Sequence, residues 1–229
     1  MKKHAGYFTR NEIILWSVSV FTVLVSFLVF DRNGLLTLSA SLTGVTFLIL
    51  NAKANPLGQF LTVVFSILYG IISFRFGYYG EMITYLGMTA PMALFALISW
   101  LRHPYRGNRS EVAVNTLKRG EWVFASFLTA AVTVVFFYIL RALGNATIIP
   151  STLSVATSFA AVYLTFRRSR WFALAYAAND LVLIVLWAMA SVENRSYISV
   201  LVCFVVFFVN DLYGFINWGR IKERQNGDE

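Results

Sequence analysis

Two Asn-Asp pairs, Asn179-Asp180 and Asn210-Asp211, lie in stretches of chain otherwise built almost wholly from apolar residues. A carboxyl group at the centre of a bilayer costs about 2.5–3.5 kcal/mol on insertion scales, so such residues face a bundle interior or a substrate path. Helical spacing gathers further polar and aromatic groups beside them. In the last apolar stretch Asn210, Tyr213, Gly214 and Asn217 share one stripe, bordered by Asp211 and Trp218. In the stretch before it Tyr176, Asn179, Asp180 and Leu183 share a face that Trp187 extends by two turns. Upstream, Glu81, Thr84, Tyr85 and Met88 recur at i, i+3, i+4 and i+7, and Pro91 then removes a backbone hydrogen bond. Freed carbonyls and a kink suit a cavity, while Glu81, near the outer end, is expected to reach the headgroup region.

Amides and carboxylates in such a setting bond hydroxyls or carbonyls, and Tyr and Trp faces stack on a flat ring or hold a cation. The set suits a small, uncharged or cationic solute that bears a sugar or a heterocycle. The competing use is packing, in which Asn and Asp bond across helices for about 0.6 kcal/mol per pair. Paired intramembrane aspartates also serve proteolysis, but neither one here sits in a Tyr-Asp or Gly-x-Gly-Asp setting, and no enzymatic activity is expected. The two histidines, His4 and His103, lie in inner loops, no Cys or His cluster exists, and there is no Gly-rich phosphate loop, so neither metal, ATP nor any other cofactor is implied.

The elements that must position these groups are transmembrane helices. Of the 229 residues 58% are hydrophobic and 13% charged, against roughly 45–50% and about 25% in a soluble domain. Apolar stretches long enough to cross a hydrocarbon core of about 30 Å occupy residues 12–30, 35–51, 57–76, 82–101, 121–141, 148–166, 171–190 and 197–219. With the N-terminus inside, fifteen of the 19 Lys and Arg fall in inner segments, and only Arg32, Arg75, Arg141 and Arg195 remain outside. That asymmetry predicts eight spans with both termini in the cytoplasm. It also accounts for the net charge of +8 without a nucleic-acid partner. The first span follows a basic start but lacks a small-residue cleavage site at Phe30-Asp31-Arg32, so it is read as retained. Residues 102–120 have linker composition, Asp31-Arg32-Asn33-Gly34 reads as a turn, and the lone Cys203 reads as a small core residue.

With the first span set aside, spans two to four and six to eight share the same in/out sense around span five, a 3+1+3 plan. Ile98-Ser99-Trp100-Leu101-Arg102 and Ile216-Asn217-Trp218-Gly219-Arg220 close the fourth and eighth spans with the same Trp-then-Arg echo. Two such triple-helix units, joined by one inverting helix, are related by an axis along the membrane normal, as in some small-solute carriers. The expected segments are 1–34 (extra N-terminal helix), 35–101 (first bundle), 102–147 (basic loop and linker helix), 148–219 (second bundle) and 220–229 (tail).

Gly77-Tyr78-Tyr79-Gly80-Glu81-Met82-Ile83 leading through Pro91 to Trp100, the segment Ala177-Ala178-Asn179-Asp180, and above all Asn210-Asp211-Leu212-Tyr213-Gly214-Phe215-Ile216-Asn217-Trp218 resemble the PnuC family of vitamin transporters, chiefly for nicotinamide riboside. The resemblance implies a SWEET-like all-α fold, a homotrimer, facilitated diffusion without ion coupling, and trapping of the entering riboside by a cytoplasmic kinase. It implies residence in the plasma membrane. Family members carry a Trp-x-x-Trp-x-x-x-Asn string whose tryptophans and Asn contact the ligand; here Phe172-Ala173-Leu174-Ala175-Tyr176-Ala177-Ala178-Asn179 retains the Asn, with Tyr176 as a nearby aromatic. The expected substrate contacts are therefore Asn179, Asn210, Asp211, Asp180 and Asn217 as bonding groups, with Tyr176, Tyr85, Trp187, Thr84 and Met88 around them. Thiamine or a (deoxy)nucleoside is the alternative cargo, and a non-transporting membrane receptor or assembly protein the alternative class.

Overall fold

A computed structural model describes residues 7–32, 34–145 and 147–227. Lys2, Lys3, His4 and Asn33, which the sequence reading places in loops, lie outside the described residues, as do the last two residues of the tail. Eight helices among the described residues are long and apolar enough to span a bilayer: α1 (Arg10–Phe30), α2 (Leu35–Ala52), α3 (Pro56–Arg75), a composite span formed by α4 (Tyr79–Ile83), a π-helical turn (Thr84–Thr89) and α5 (Ala90–Arg102), then α6 (Arg119–Ala142), α7 (Ile148–Phe166), α8 (Trp171–Glu193) and α9 (Ile198–Gly227).

Local chemistry fixes several of the ends. Thr9 and Glu12 form a reciprocal capping box at the start of α1. Glu12, 1% exposed, also pairs with Lys53 Nζ at 3.3 Å and accepts from the Tyr213 hydroxyl at 3.0 Å, which seats α1 on α2 and α9. Asn55 caps α3 ahead of Pro56. The π turn lies just before Pro91: the Ala90 N–H reaches back to the Tyr85 carbonyl and the Thr89 hydroxyl to that of Thr84, a wider turn of the kind found where a helix is locally interrupted.

Six spans form a closed ring in the order α2, α3, α4/α5, α7, α8, α9, with α9 returning to α2; α1 lies outside against α9 and α2, and α6 outside against α7. The sequence echo has a structural counterpart at the ring's two seams. Ser99 donates to the Phe166 carbonyl and Trp100 Nε1 to that of Thr165, while Asn217 Nδ2 donates to the Ala52 carbonyl and Trp218 Nε1 to that of Asn51. The third helix of each bundle thus bonds the end of the first helix of the other. The turns that follow those ends also match: Ala54 and Arg168 both adopt positive φ, and their N–H groups bond the Asn51 and Thr165 carbonyls. Equivalent bonds are thus exchanged between the two halves of the ring.

Two sequence expectations need correction. Residues 102–120 are more than a linker, because Pro104–Tyr105 (β1) and Asn108–Val112 (β2) pair as an antiparallel hairpin. Its tight turn places both Arg106 and Gly107 at positive φ, as a two-residue hairpin requires. The strand then straps the same end of both bundles, since Val112 N–H bonds the Ala54 carbonyl and Asn115 N–H that of Arg168. The last span also runs beyond residue 219 as helix to Gly227, where buried Gln225 bonds Glu111, Val112 and Val114. The sequence marked where apolar character ends, not where the helix ends. Tyr7, the α2–α3 turn, the hairpin, the α7–α8 turn and the α9 tail all lie on this one basic side.

Candidate functional site

The ring encloses a cavity of about 20 Å³ between the two bundles. That volume admits roughly one water, which needs about 10–15 Å³, so the ring is closed. Asn179, Asp180 and Tyr176 of α8 and Asp211 of α9 line it on one side. Tyr85 and Thr89 of the π turn and Thr62 and Ser66 of α3 face them, and Phe47, Phe65, Phe204 and Phe207 fill the walls.

Asn179 is 1% exposed, and its side-chain oxygen accepts from Thr157 and Ser158 of α7, each at 2.9 Å. Asp180 and Asp211, at 4% and 5% exposure, sit side by side on the cavity wall. Two carboxylates in one dry site repel each other, so the pair favours a cation or a donor beside it. Asp180 Oδ2 is buried and meets no N–H or O–H donor. An acceptor held dry without a partner is unfavourable by about 1–3 kcal/mol, and a ligand donor or cation entering the cavity relieves it.

Aromatic clusters close the cavity above and below. On the basic side Trp218 lies 5.4 Å from Trp100 and 4.9 Å from Phe172. On the other side Trp187 donates to the Tyr69 hydroxyl at 2.8 Å and lies against Tyr78, Phe76 and Tyr197, while Tyr69 leads down to Tyr85 with ring centres 4.4 Å apart.

Of the ten residues the sequence nominates, Tyr85, Tyr176, Asn179, Asp180 and Asp211 meet at this cavity. The other five sit elsewhere, each with a physical reason. Asn210 lies one residue before Asp211, turned about 100° away on the helix, and donates to Ser19 of α1 at 2.9 Å. Asn217 is taken by the Ala52 carbonyl, Trp187 belongs to the aromatic cluster with Tyr69 and Tyr78, and the Thr84 hydroxyl turns back to the Gly80 carbonyl. Met88 packs with Ala125, Phe159 and Tyr163 toward α6 and α7. Glu81 does not reach the headgroups. It is 1% exposed and accepts from Ser154 at 3.3 Å, because Gly80 lets the start of α4 press against Asn145 and Leu140, where an added Cβ would stand 2.8 Å from both side chains. Sequence reading passed over the hydroxyls of α3 and α7. Their signal was present as Thr62 and Ser66 at i and i+4 and as Ser154, Thr157 and Ser158 at i, i+3 and i+4.

The family model described as "Nicotinamide mononucleotide transporter" matches residues 34–220. The chain belongs to the nicotinamide mononucleotide transporter family. Among relatives, the nicotinamide riboside transporter PnuC of Neisseria mucosa is 25% identical over 226 residues, covering 97% of this chain and 86% of the relative. The same-named protein of Haemophilus influenzae is 22% identical over 192 residues, 83% of this chain and 82% of that protein. The crystal structure of the vitamin B3 transporter PnuC superposes with a TM-score of 0.84 at 24% identity, covering 95% of this chain and 94% of that one. As a member of this family of transporters the chain is a multi-pass membrane protein and not an enzyme. The fold of eight spanning helices is shared with the PnuC structure.

Proposed function

We propose that this protein carries nicotinamide riboside across the plasma membrane by facilitated diffusion, using the cavity between its two three-helix bundles as the binding site. The observation that carries the reading is the meeting of the Asn179 amide, the Asp180–Asp211 carboxyl pair and a wall of aromatic rings halfway along their helices. Its chemistry matches the solute. An N-glycosylated pyridinium is a planar cation with sugar hydroxyls and a carboxamide. The acidic pair supplies counter-charge and acceptors, Asn179 bonds an oxygen, and Tyr85, Tyr176, Phe65 and Phe207 pack on the ring. A cation is favoured over an uncharged nucleoside by the same pair.

A riboside needs far more than the closed cavity offers, since small-molecule sites run to roughly 300–1,000 Å³. Rocking of residues 35–101 against 148–219 opens one aromatic cluster at a time, with residues 1–34, 102–147 and 220–229 as the extra helix, linker and tail. Asn210, Asn217, Thr84 and Met88 hold helices together in the closed form, and Trp187 joins the site as the outer cluster parts. The basic side is the cytoplasmic one and holds both termini. A cytoplasmic kinase that phosphorylates the riboside makes the passive flux one-way. Homotrimer packing through α6 is favoured by the groove of small residues between α6 and α7, including Ala125, Ser126, Ala130, Ala156 and Ala160.

The test is uptake into proteoliposomes of labelled nicotinamide riboside, thiamine and deoxynucleosides, with and without a trapped kinase. Nicotinamide riboside is expected to equilibrate without the kinase and accumulate with it. Entry of thiamine alone overturns the substrate, and no entry above empty liposomes overturns the carrier.

A further inference from the structure

The surroundings of Asn179 determine which way its amide points. Thr157 Oγ1 reaches Asn179 Oδ1 at 2.9 Å but also the carbonyls of Leu153 and Ser154 at 2.8 and 3.2 Å. Ser154 Oγ lies 3.4 Å from Asn179 Oδ1 and 3.3 Å from Glu81 Oε2. Ser158 is different: its hydroxyl, 2% exposed, has Asn179 Oδ1 at 2.9 Å and no competing acceptor among the described residues. A hydroxyl has one proton to give, so that proton goes to Asn179 Oδ1. Turning the amide over would leave it buried without an acceptor, a state that native interiors avoid. The amide nitrogen consequently lies on the side of the cavity, which Tyr85 lines with it.

We propose that Ser158, with Thr157 beside it, is a positioning residue that holds Asn179 as an obligate hydrogen-bond donor, so the site selects a substrate oxygen at that point and rejects a group offering only N–H. The proposal rests on Asn179 touching the substrate, and it goes further by assigning the polarity of that contact and the α7 hydroxyls that impose it. In a low-dielectric interior a donor-to-donor mismatch leaves both groups unpaired, which is how buried polar sites discriminate.

The experiment measures nicotinamide riboside affinity by calorimetry on the purified full-length protein for Ser158→Ala, Ser158→Cys, Asn179→Ala and Ser158→Ala/Asn179→Ala. Ser158→Ala is expected to weaken binding about three- to tenfold, the worth of one oriented hydrogen bond. Ser158→Cys keeps the volume with a much weaker donor and should behave like Ser158→Ala. In the Asn179→Ala background the Ser158 change should cost nothing more, because nothing remains to be oriented. Wild-type affinity in Ser158→Ala or Ser158→Cys overturns the proposal. So does an equal loss on both backgrounds, which marks Ser158 as packing only. Wild-type affinity in Asn179→Ala alone removes the substrate contact itself, and that failure is recognisable without reference to Ser158.

Discussion

Replacing both Asp180 and Asp211 by Asn is expected to lower initial uptake of nicotinamide riboside into proteoliposomes on the order of a hundredfold, with the protein still folded. An uncompensated charge at the bilayer centre costs about 2.5–3.5 kcal/mol, and each 1.4 kcal/mol is a factor of about ten. The two carboxyl groups are 4% and 5% exposed and are the acidic residues lining the cavity. Asn has nearly the same shape as Asp, so packing is preserved while the counter-charge is lost. The control is the reduced, uncharged dihydronicotinamide riboside, whose uptake should fall far less. An equal fall for both forms would assign the pair to helix packing instead of cation recognition.

The second large effect concerns stability. Trp218→Ala removes a 0% exposed indole from the cluster with Trp100 and Phe172 and takes the side-chain donor from the Asn51 carbonyl, which keeps the Ala54 N–H. Truncation of a buried Trp costs about 3–5 kcal/mol, whereas Trp218→Phe keeps a ring and forfeits mainly one hydrogen bond, about 0.5–1.5 kcal/mol. Trp100, bonded to Thr165 in the matching position, should show the same order of losses. Thermal unfolding of the four variants in detergent checks this. A severe loss at one Trp and none at the other would contradict the equivalence of the two seams.

The spans and the ring's polar face were legible because a bilayer punishes polar groups so heavily that their spacing alone marks protein-facing surface. Asn179, Asp180 and Asp211 were found on that ground. The same signal misplaced Asn210 and Asn217, because α9 faces the ring interior but also packs on α1 outside the ring and on the end of α2, and polarity does not say which neighbour answers it. Glu81 misled for a different reason: depth along the sequence put it near the headgroups, while Gly80 let its turn sink inward. The hydroxyls of α3 and α7 escaped notice since Ser and Thr in membrane helices often bond their own backbone, as Thr62, Ser66 and Thr165 do here. Ser158 instead bonds across to Asn179, and only the assembled ring distinguishes the two cases. The hairpin and the helical tail were invisible to hydropathy because their order comes from bonds between segments far apart in sequence.

A structure determined with nicotinamide riboside bound bears most directly on the central claim. The riboside should lie between Asn179 and Asp211 in a ring expanded from its present volume of about 20 Å³, with its pyridinium beside the acidic pair and one of its oxygens facing the Asn179 amide nitrogen. A riboside bound outside the six-helix ring, away from Asp180 and Asp211, would contradict it.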